Sequence, residues 1–156
     1  GPMVSLKARD EVHNQVTRSI DAGAILVMGG FIPDMPGAYY PITLLADVEV
    51  GMAAFEEEIF GPVFSLTKAI DNHHAIELAN QTPFGLGAAV FTRNTEEGVN
   101  IAKTRIDAGS CFVNDFVKSD PRLPFGGIKE SGYGRELSSF GMMEFVNVKT
   151  IVASDA

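Results

Sequence analysis

The sequence predicts an α/β fold, with a mainly parallel sheet covered by helices on both faces. Short apolar segments alternate with amphipathic segments between residues 10 and 113, and this order is typical of right-handed βαβ units. Residues 24–28 are apolar at every position (Ala-Ile-Leu-Val-Met). Continuous apolar runs of this length are typical of strands that are buried on both faces of a sheet.

The helices are predicted from periodicity and capping. Residues 10–22 carry apolar side chains at i, i+4 and i+8, and residues 71–80 begin with an Asp-Asn pair that suits an N-cap. Residues 94–105 open with Asn-Thr-Glu-Glu, which has capping-box spacing. Residues 136–143 allow a short fourth helix.

Strands and turns are predicted between these helices. Residues 47–57 are ambiguous and allow a helical turn, and residues 83–87 (Pro-Phe-Gly-Leu-Gly) favour a turn. The predicted strands are residues 24–28, 42–45, 63–67, 88–92 and 109–113.

Two regions near the end of the chain do not fit this alternation. Residues 114–135 are rich in glycine and have no helical or strand period, and a loop of this length is usually functional. The run from Phe145 to Val152 has strong β character and no element after it. Such an edge is prone to aggregation unless it pairs, so we expect it to pair with another subunit or domain.

Composition limits the classes of partner. The chain has 156 residues, 46% of them apolar, which suits a single globular domain. A net charge of −8 without a basic patch argues against nucleic acid and against an anionic membrane as partners. No apolar run is long enough to span a bilayer. The single cysteine suits a reducing compartment, so a cytoplasmic location is expected.

The most unusual stretch is residues 55–63, in which three glutamates run directly into Ile-Phe-Gly-Pro-Val. A carboxylate at the lip of an apolar cleft is a good acceptor for paired hydroxyls, such as those of a ribose. The alternative is a helix that ends at Gly61 and Pro62 with its acids in solvent. From this stretch alone, the alternative is favoured.

Other candidate chemistry is weak. No Gly-x-Ser-x-Gly elbow supports Ser/His/Asp catalysis, and the histidines and single cysteine have no metal-ligand spacing, so no metal site is predicted. The glycines of residues 126–134 match neither a P-loop nor a dinucleotide fingerprint, and favour tight turns. Cys111 lies in a predicted strand with no base nearby, so it is expected to be a buried, inert thiol.

Four motifs occur in a specific order. They are Glu-Glu-Ile-Phe-Gly-Pro-Val (57–63), Asn-Gln-Thr-Pro-Phe-Gly-Leu-Gly (80–87), Gly-Ser-Cys-Phe-Val-Asn (109–114) and Pro-Phe-Gly-Gly-Ile-Lys-Glu-Ser-Gly-Tyr-Gly-Arg-Glu (124–136). Together they resemble the C-terminal third of an NAD(P)-dependent aldehyde dehydrogenase. Residues 119–123 and the end of the chain look most like the bacterial succinate-semialdehyde dehydrogenase branch of that family.

The resemblance implies roles for individual residues. Glu58 matches the glutamate that accepts hydrogen bonds from the nicotinamide ribose of NAD or NADP, and Phe60 matches the aromatic residue near the nicotinamide ring. Residues 115–123 match a loop that borders the substrate tunnel. Within and after it, Ser119 matches a serine near the distal carboxylate of a semialdehyde, and Phe125 matches an aromatic residue of the pocket.

The resemblance also implies what lies outside this chain. The family's nucleophilic cysteine, its glutamate base and its Rossmann domain match no part of the sequence, so no catalytic residue is assigned here and the chain alone is expected to be inactive. Residues 145–152 match the strand that joins a partner subunit's sheet, which implies a homo-oligomer.

The expected domain organisation follows from the same resemblance. Residues 1–3 look like a protease-cleavage remnant, residues 4–143 like part of a catalytic domain, and residues 144–156 like an oligomerisation strand and tail. Two alternatives remain open: a non-catalytic assembly module derived from this fold, and a complete small enzyme that uses Cys111.

Overall fold

The computed structural model describes residues 1–155, which form two compact units. The first unit is Gly1–Ala75, and the second begins at Ile76. Among the described residues, no helix is both long enough and apolar enough to cross a membrane.

The first unit packs two helices with a three-stranded sheet. The strand order is β1-β2-β3, in which β1 is antiparallel to β2 and β3 is parallel to β2. The elements are α1 (Leu6–Asp21), β1 (Ile25–Met28), β2 (Thr43–Ala46), α2 (Ala53–Glu56) and β3 (Val63–Ser65).

Helix α1 begins earlier than its apolar periodicity predicts. The Ser5 hydroxyl caps the helix by accepting a hydrogen bond of 3.1 Å from the Ala8 backbone N–H. The predicted apolar stripe is confirmed, because Val12 and Val16 are fully buried. Gly23 follows the helix end with φ +118°, a conformation that favours glycine.

The core of the first unit lies between α1, β2 and the segment around α2. Leu45 and Val48 are fully buried there, together with the two valines of α1. The buried Ser19 hydroxyl donates to the Gln15 carbonyl and accepts from the Ala54 N–H, each at 2.8 Å. This hydroxyl therefore ties α2 to α1 and satisfies its own hydrogen-bonding capacity.

Strand β1 is the clearest departure from the expected burial. The strand itself is confirmed, but all four of its side chains are exposed, Ile25 and Val27 by 53% and 54%. β1 lies at the edge of its sheet, so a strand pairs with it on one side only. A continuous apolar run is typical of a strand that is covered on both faces, and among residues 1–155 no element covers the β1 side chains.

The second unit contains two pairs of strands. β5 is parallel to β6, and β4 is antiparallel to β7. Helix α3 (Asn72–Gln81) crosses the division between the units. The elements that follow are β4 (Phe84–Gly85), β5 (Gly87–Val90), α4 (Thr95–Thr104), β6 (Ser110–Val113), β7 (Ile128–Lys129) and α5 (Ser138–Met143).

The sequence β5-α4-β6 confirms one predicted strand-helix-strand unit. The Asn94 side chain caps α4 by accepting from the Glu97 N–H at 3.2 Å. Asn114 follows β6 with φ +56°, and its side chain accepts from the Thr92 N–H at 2.8 Å. Asn tolerates this left-handed conformation, so Asn114 can end β6 there. Its side chain also holds the chain that follows β5, through the hydrogen bond with Thr92.

The expectation of one mainly parallel sheet is wrong for residues 1–155. The strands form three separate small sheets, with two parallel and two antiparallel pairs. The region predicted as a turn at residues 83–87 contains β4, and the region predicted as a loop at residues 114–135 contains its partner β7. Period-based analysis missed both because two-residue strands have no period.

Close backbone approach explains part of the glycine-rich region. A Cβ on Gly109 would lie 1.7 Å from the Gly126 carbonyl oxygen, and a Cβ on Gly126 would lie 2.7 Å from the Gly134 carbonyl oxygen. The predicted structural role of these glycines is therefore supported by their packing.

The terminal run (residues 145–152) forms no strand within the described chain. Its apolar side chains are strongly exposed, with Phe145 at 91% and Val152 at 83%. The predicted pairing with another subunit stays a prediction.

Candidate functional site

A cleft of about 450 Å³ lies in the first unit between α1 and the segment 57–60. It contains both residues that the sequence suggested for cofactor binding, Glu58 and Phe60. The lining residues are Ala8, Asp10, Glu11, Val12, Asn14, Gln15, Arg18, Glu57, Glu58 and Phe60.

The cleft wall begins where α2 ends. Glu57 is the C-cap of α2 and its backbone is extended (φ −108°, ψ 149°), so the chain leaves the helix as an extended segment. The Arg18 guanidinium donates to both Glu57 carboxylate oxygens, at 2.8 and 2.7 Å. The Gln15 amide donates to Glu57 Oε2 and to the Glu58 carbonyl oxygen, both at 3.1 Å.

These contacts change the electrostatics of the acidic run. The hydrogen bonds from Arg18, and then from Gln15, lower the pKa of Glu57 to about 2. Glu56 accepts instead from the Gly51 N–H at 2.8 Å. The alternative is therefore right that a helix ends in this stretch, but the helix ends at Glu56 and not at Gly61 and Pro62. Glu57 is partly exposed, as the alternative expects, but it is also ion-paired.

Glu58 and Phe60 are presented outward. The Glu58 carboxylate is exposed and makes no hydrogen bond or ion pair within the first unit, and the Phe60 side chain is 77% exposed. Gly61 follows, and a Cβ there would lie 2.9 Å from both methyl groups of Val12. The segment thus approaches α1 at both ends, and the exposed Glu58 and Phe60 line the cleft between these two points.

The two predicted substrate-pocket residues belong to the second unit. Ser119 is exposed, and its hydroxyl makes no hydrogen bond within that unit. Phe125 is half-buried, and its backbone exchanges two hydrogen bonds with Glu136, at 2.9 and 2.8 Å. Phe125 is therefore fixed by its backbone, whereas Ser119 stands on an open loop.

Local ion pairs shape the loop of residues 115–123. Lys118 bonds Asp115 at 2.5 Å, and Arg122 bonds Asp120 at 2.6 Å. Each pair lowers the pKa of its aspartate, because the cation donates to the ionised carboxylate. The loop presents Ser119 between these two pairs.

Cys111 lies in the middle of β6 and is partly buried. Burial raises the pKa of its thiol, which disfavours the reactive thiolate. This supports the expectation of an inert cysteine and weighs against an enzyme that uses Cys111.

Sequence reasoning missed three residues of the cleft wall: Gln15, Arg18 and Glu57. Gln15 lies 42 positions before Glu57 in the sequence, and Arg18 lies 39 positions before it. Helical spacing places Gln15 and Arg18 on one face of α1, but it does not reveal what that face meets. The adjacency of Glu57 to Glu58 was the one available signal.

The fold and the cleft describe an α/β protein with a cleft that is lined by an exposed carboxylate and an exposed aromatic ring. Residues 1–151 match the family model of the aldehyde dehydrogenase family. The chain belongs to that family.

Individual relatives are more specific. The chain is 47% identical over 151 residues to a succinate semialdehyde dehydrogenase (NAD(P)+) of Escherichia coli strain K12, a match that covers 97% of this chain and 32% of the relative. It is 46% identical over 151 residues to a succinate-semialdehyde dehydrogenase (NADP(+)) of Mycobacterium leprae strain TN, covering 97% of this chain and 33% of that protein.

Solved structures agree with these relatives. The chain resembles a succinic semialdehyde dehydrogenase from Streptococcus pyogenes in complex with NADP+, with a TM-score of 0.92 and 40% identity. That match covers 99% of this chain and 34% of the other. The chain thus spans about a third of the length of the relatives it matches.

Proposed function

We propose that this chain is the C-terminal third of an NAD(P)-dependent aldehyde dehydrogenase that oxidises succinate semialdehyde to the carboxylate. In this proposal Glu58 and Phe60 contact the nicotinamide half of the cofactor, and Ser119 and Phe125 line the substrate pocket. The observation that carries it is the cleft of about 450 Å³, which Glu58 and Phe60 line together.

The side chains present suit NAD or NADP. A ribose offers two adjacent hydroxyl donors, and the Glu58 carboxylate, which has no partner in its own unit, has free acceptor sites for both. A pyridine ring needs a flat apolar surface, and the exposed Phe60 ring offers one. The bound cofactor would supply the hydride acceptor, while Glu58 and Phe60 would orient it.

The substrate assignment rests on the second unit and on the relatives. Ser119 has a hydroxyl without a partner in that unit, which suits a hydrogen bond to the distal carboxylate of a semialdehyde. The backbone of Phe125 is held by the strand-like bridge to Glu136, which restrains where its side chain begins. Relatives at 46–47% identity are named succinate-semialdehyde dehydrogenases.

The test of the cofactor role is Glu58→Ala in the longer protein that carries this chain. We expect weaker cofactor binding and slower single-turnover hydride transfer, each by about tenfold, because a charged hydrogen bond is lost. Glu56→Ala is the matched control, since Glu56 is a neighbouring exposed acid that does not line the cleft. If Glu58→Ala binds the cofactor and transfers hydride as well as the parent protein does, the proposed role of Glu58 is contradicted.

The isolated chain is expected to show no NAD(P)-dependent aldehyde oxidation, because its single thiol is disfavoured as a nucleophile. Turnover by the isolated chain that disappears in Cys111→Ala would contradict this. An assembly module remains the second candidate function, and the observation that favours it is the exposed terminal run.

The terminal run is proposed to join the chain to a partner subunit. Its apolar side chains are exposed, and strand pairing with a partner would cover part of them. Replacing Val148 and Ile151 with lysine should shift the longer protein to a smaller species in light scattering. An unchanged molar mass would contradict the proposal.

A further inference from the structure

The Glu58 side chain is flanked by contacts that restrain the backbone on both sides of it. We define the clamp as Asn14, Gln15, Arg18 and Glu57. We propose that Arg18 and Gln15 are positioning residues that fix the direction of the Glu58 carboxylate by holding Glu57 and the Glu58 backbone. This inference rests on the proposed cofactor role of Glu58.

Arg18 has a single well-defined orientation in the clamp. Its Nε donates to Asn14 Oδ1 at 2.9 Å, and its two terminal nitrogens donate to the two Glu57 carboxylate oxygens. A planar guanidinium with all three nitrogens engaged is held in its plane as well as in its position. Because Asn14 and Arg18 lie one helical turn apart on α1, the helix itself orients the ion pair.

Gln15 extends this restraint to Glu58. Its amide nitrogen reaches Glu57 Oε2 and the Glu58 carbonyl oxygen, both at 3.1 Å. The side chain of one residue and the carbonyl of the next are thus tied to the same helix. The backbone between those two groups determines where the Glu58 Cβ points, so the clamp limits the arc over which the carboxylate can move.

The segment is held again beyond Phe60. Gly61 lies so close to Val12 that a Cβ would be 2.9 Å from both methyl groups, and Val12 is 2% exposed. Glu58 and Phe60 therefore lie between two anchors on one rigid helix. Neither anchor uses the Glu58 carboxylate, which stays available to a ligand.

A purely stabilising ion pair would be the simpler explanation. The Arg18 and Glu57 side chains are 48% and 40% exposed, and ion pairs that are this open to solvent add little to stability. Positioning of a group that contacts a cofactor has a larger effect, since a displacement of about 1 Å can cost about a hundredfold in rate. Positioning therefore predicts a large loss of rate with little loss of stability, whereas a purely stabilising ion pair predicts a loss of rate only where stability is also lost.

The test uses Arg18→Ala and Glu57→Gln in the longer protein, measured for thermal unfolding, cofactor affinity and single-turnover hydride transfer. We expect hydride transfer to fall by about 10-fold to 100-fold in each variant, with little change in unfolding temperature. Arg18→Lys keeps the charge without the bidentate geometry and should restore part of the rate. Lys68→Ala removes an exposed cation of the same unit and is the matched control.

Combining variants separates this inference from the proposed function. If Arg18 acts through Glu58, then Arg18→Ala should cost almost nothing further when added to Glu58→Ala. A large effect of Glu58→Ala with none from Arg18→Ala or Glu57→Gln would overturn the positioning role and leave the cofactor role intact. No effect from Glu58→Ala would overturn the cofactor role itself. If hydride transfer falls only in those variants whose unfolding temperature also falls markedly, the clamp is purely structural and the positioning role is overturned.

Discussion

The segment 57–61 and the loop 115–123 are both proposed to contact small molecules, yet they are fixed in different ways. The segment is tied to α1 by hydrogen bonds that span 39 to 43 residues of sequence. The ion pairs of the loop join residues only two or three positions apart. The loop also has long-range contacts, because the Ser138 N–H donates to the Pro121 carbonyl at 3.0 Å and the Phe116 and Phe91 rings lie 5.8 Å apart. The side-chain ties on either side of Ser119 are local, however, whereas those beside Glu58 reach a helix.

The difference suits the two proposed tasks. A cofactor is the same molecule in every turnover, so a preorganised contact is an advantage. Substrates differ more from enzyme to enzyme, and loops suit such contacts because they tolerate change. The predictions below test this contrast, beginning with the largest expected effect.

Gly61→Val should harm the anchored segment most. The new Cβ would lie 2.9 Å from both methyl groups of a stiff, buried valine, so either α1 or the segment has to shift. We expect the free energy of unfolding to fall by about 1–3 kcal/mol, as measured by urea titration. Ser119→Ala, in the open loop, should stay within about 0.5 kcal/mol of the parent protein. Equal stability of the two variants would break the contrast.

Ser119→Ala should act on the substrate rather than on the fold. Loss of a hydroxyl that donates to a carboxylate should lower kcat/KM for succinate semialdehyde by about tenfold. Butanal, which has no distal carboxylate, should be oxidised as well as before. Ser139→Ala, an exposed serine of α5, serves as the control. Equal losses for both aldehydes would argue against contact with the carboxylate.

The smallest effect concerns pH. The folded-state pKa of Glu57 is lowered from 4.5 to about 2 by Arg18 and Gln15, so its contribution to stability is fully present above about pH 4.5. That contribution is lost as the pH falls toward 2, because the protonated carboxyl no longer pairs with Arg18. Glu57→Gln should therefore flatten the stability profile in this window. A variant whose profile stays parallel to that of the parent protein would contradict the ion pair.

Local signals in the sequence predicted the elements well. The apolar stripe of α1, the Asn94 cap of α4 and the β5-α4-β6 unit are all confirmed, since each depends on neighbours within a few residues. The start of α1 was placed too late because Ser5 caps it with a hydroxyl, outside the apolar pattern. The short β4 and β7 were missed because their pairing joins positions 84 and 129.

The candidate site was predictable in part. Glu58 and Phe60 were singled out from motif resemblance, and the structure places both on one cleft. The clamp was not visible, because it depends on how α1 meets a segment some 40 residues later. The exposed faces of β1 and of the terminal run show the same limit. An apolar pattern predicts a surface that is covered, but it does not identify the chain that covers it.

The most direct test is an experimental structure of the longer protein with NAD(P)+ bound. The account predicts that a Glu58 carboxylate oxygen lies about 2.6–3.2 Å from a hydroxyl of the nicotinamide ribose, with the Arg18–Glu57 ion pair intact. The Phe60 ring should contact the nicotinamide. A cofactor bound with its nicotinamide ribose out of hydrogen-bonding reach of Glu58 would contradict the account.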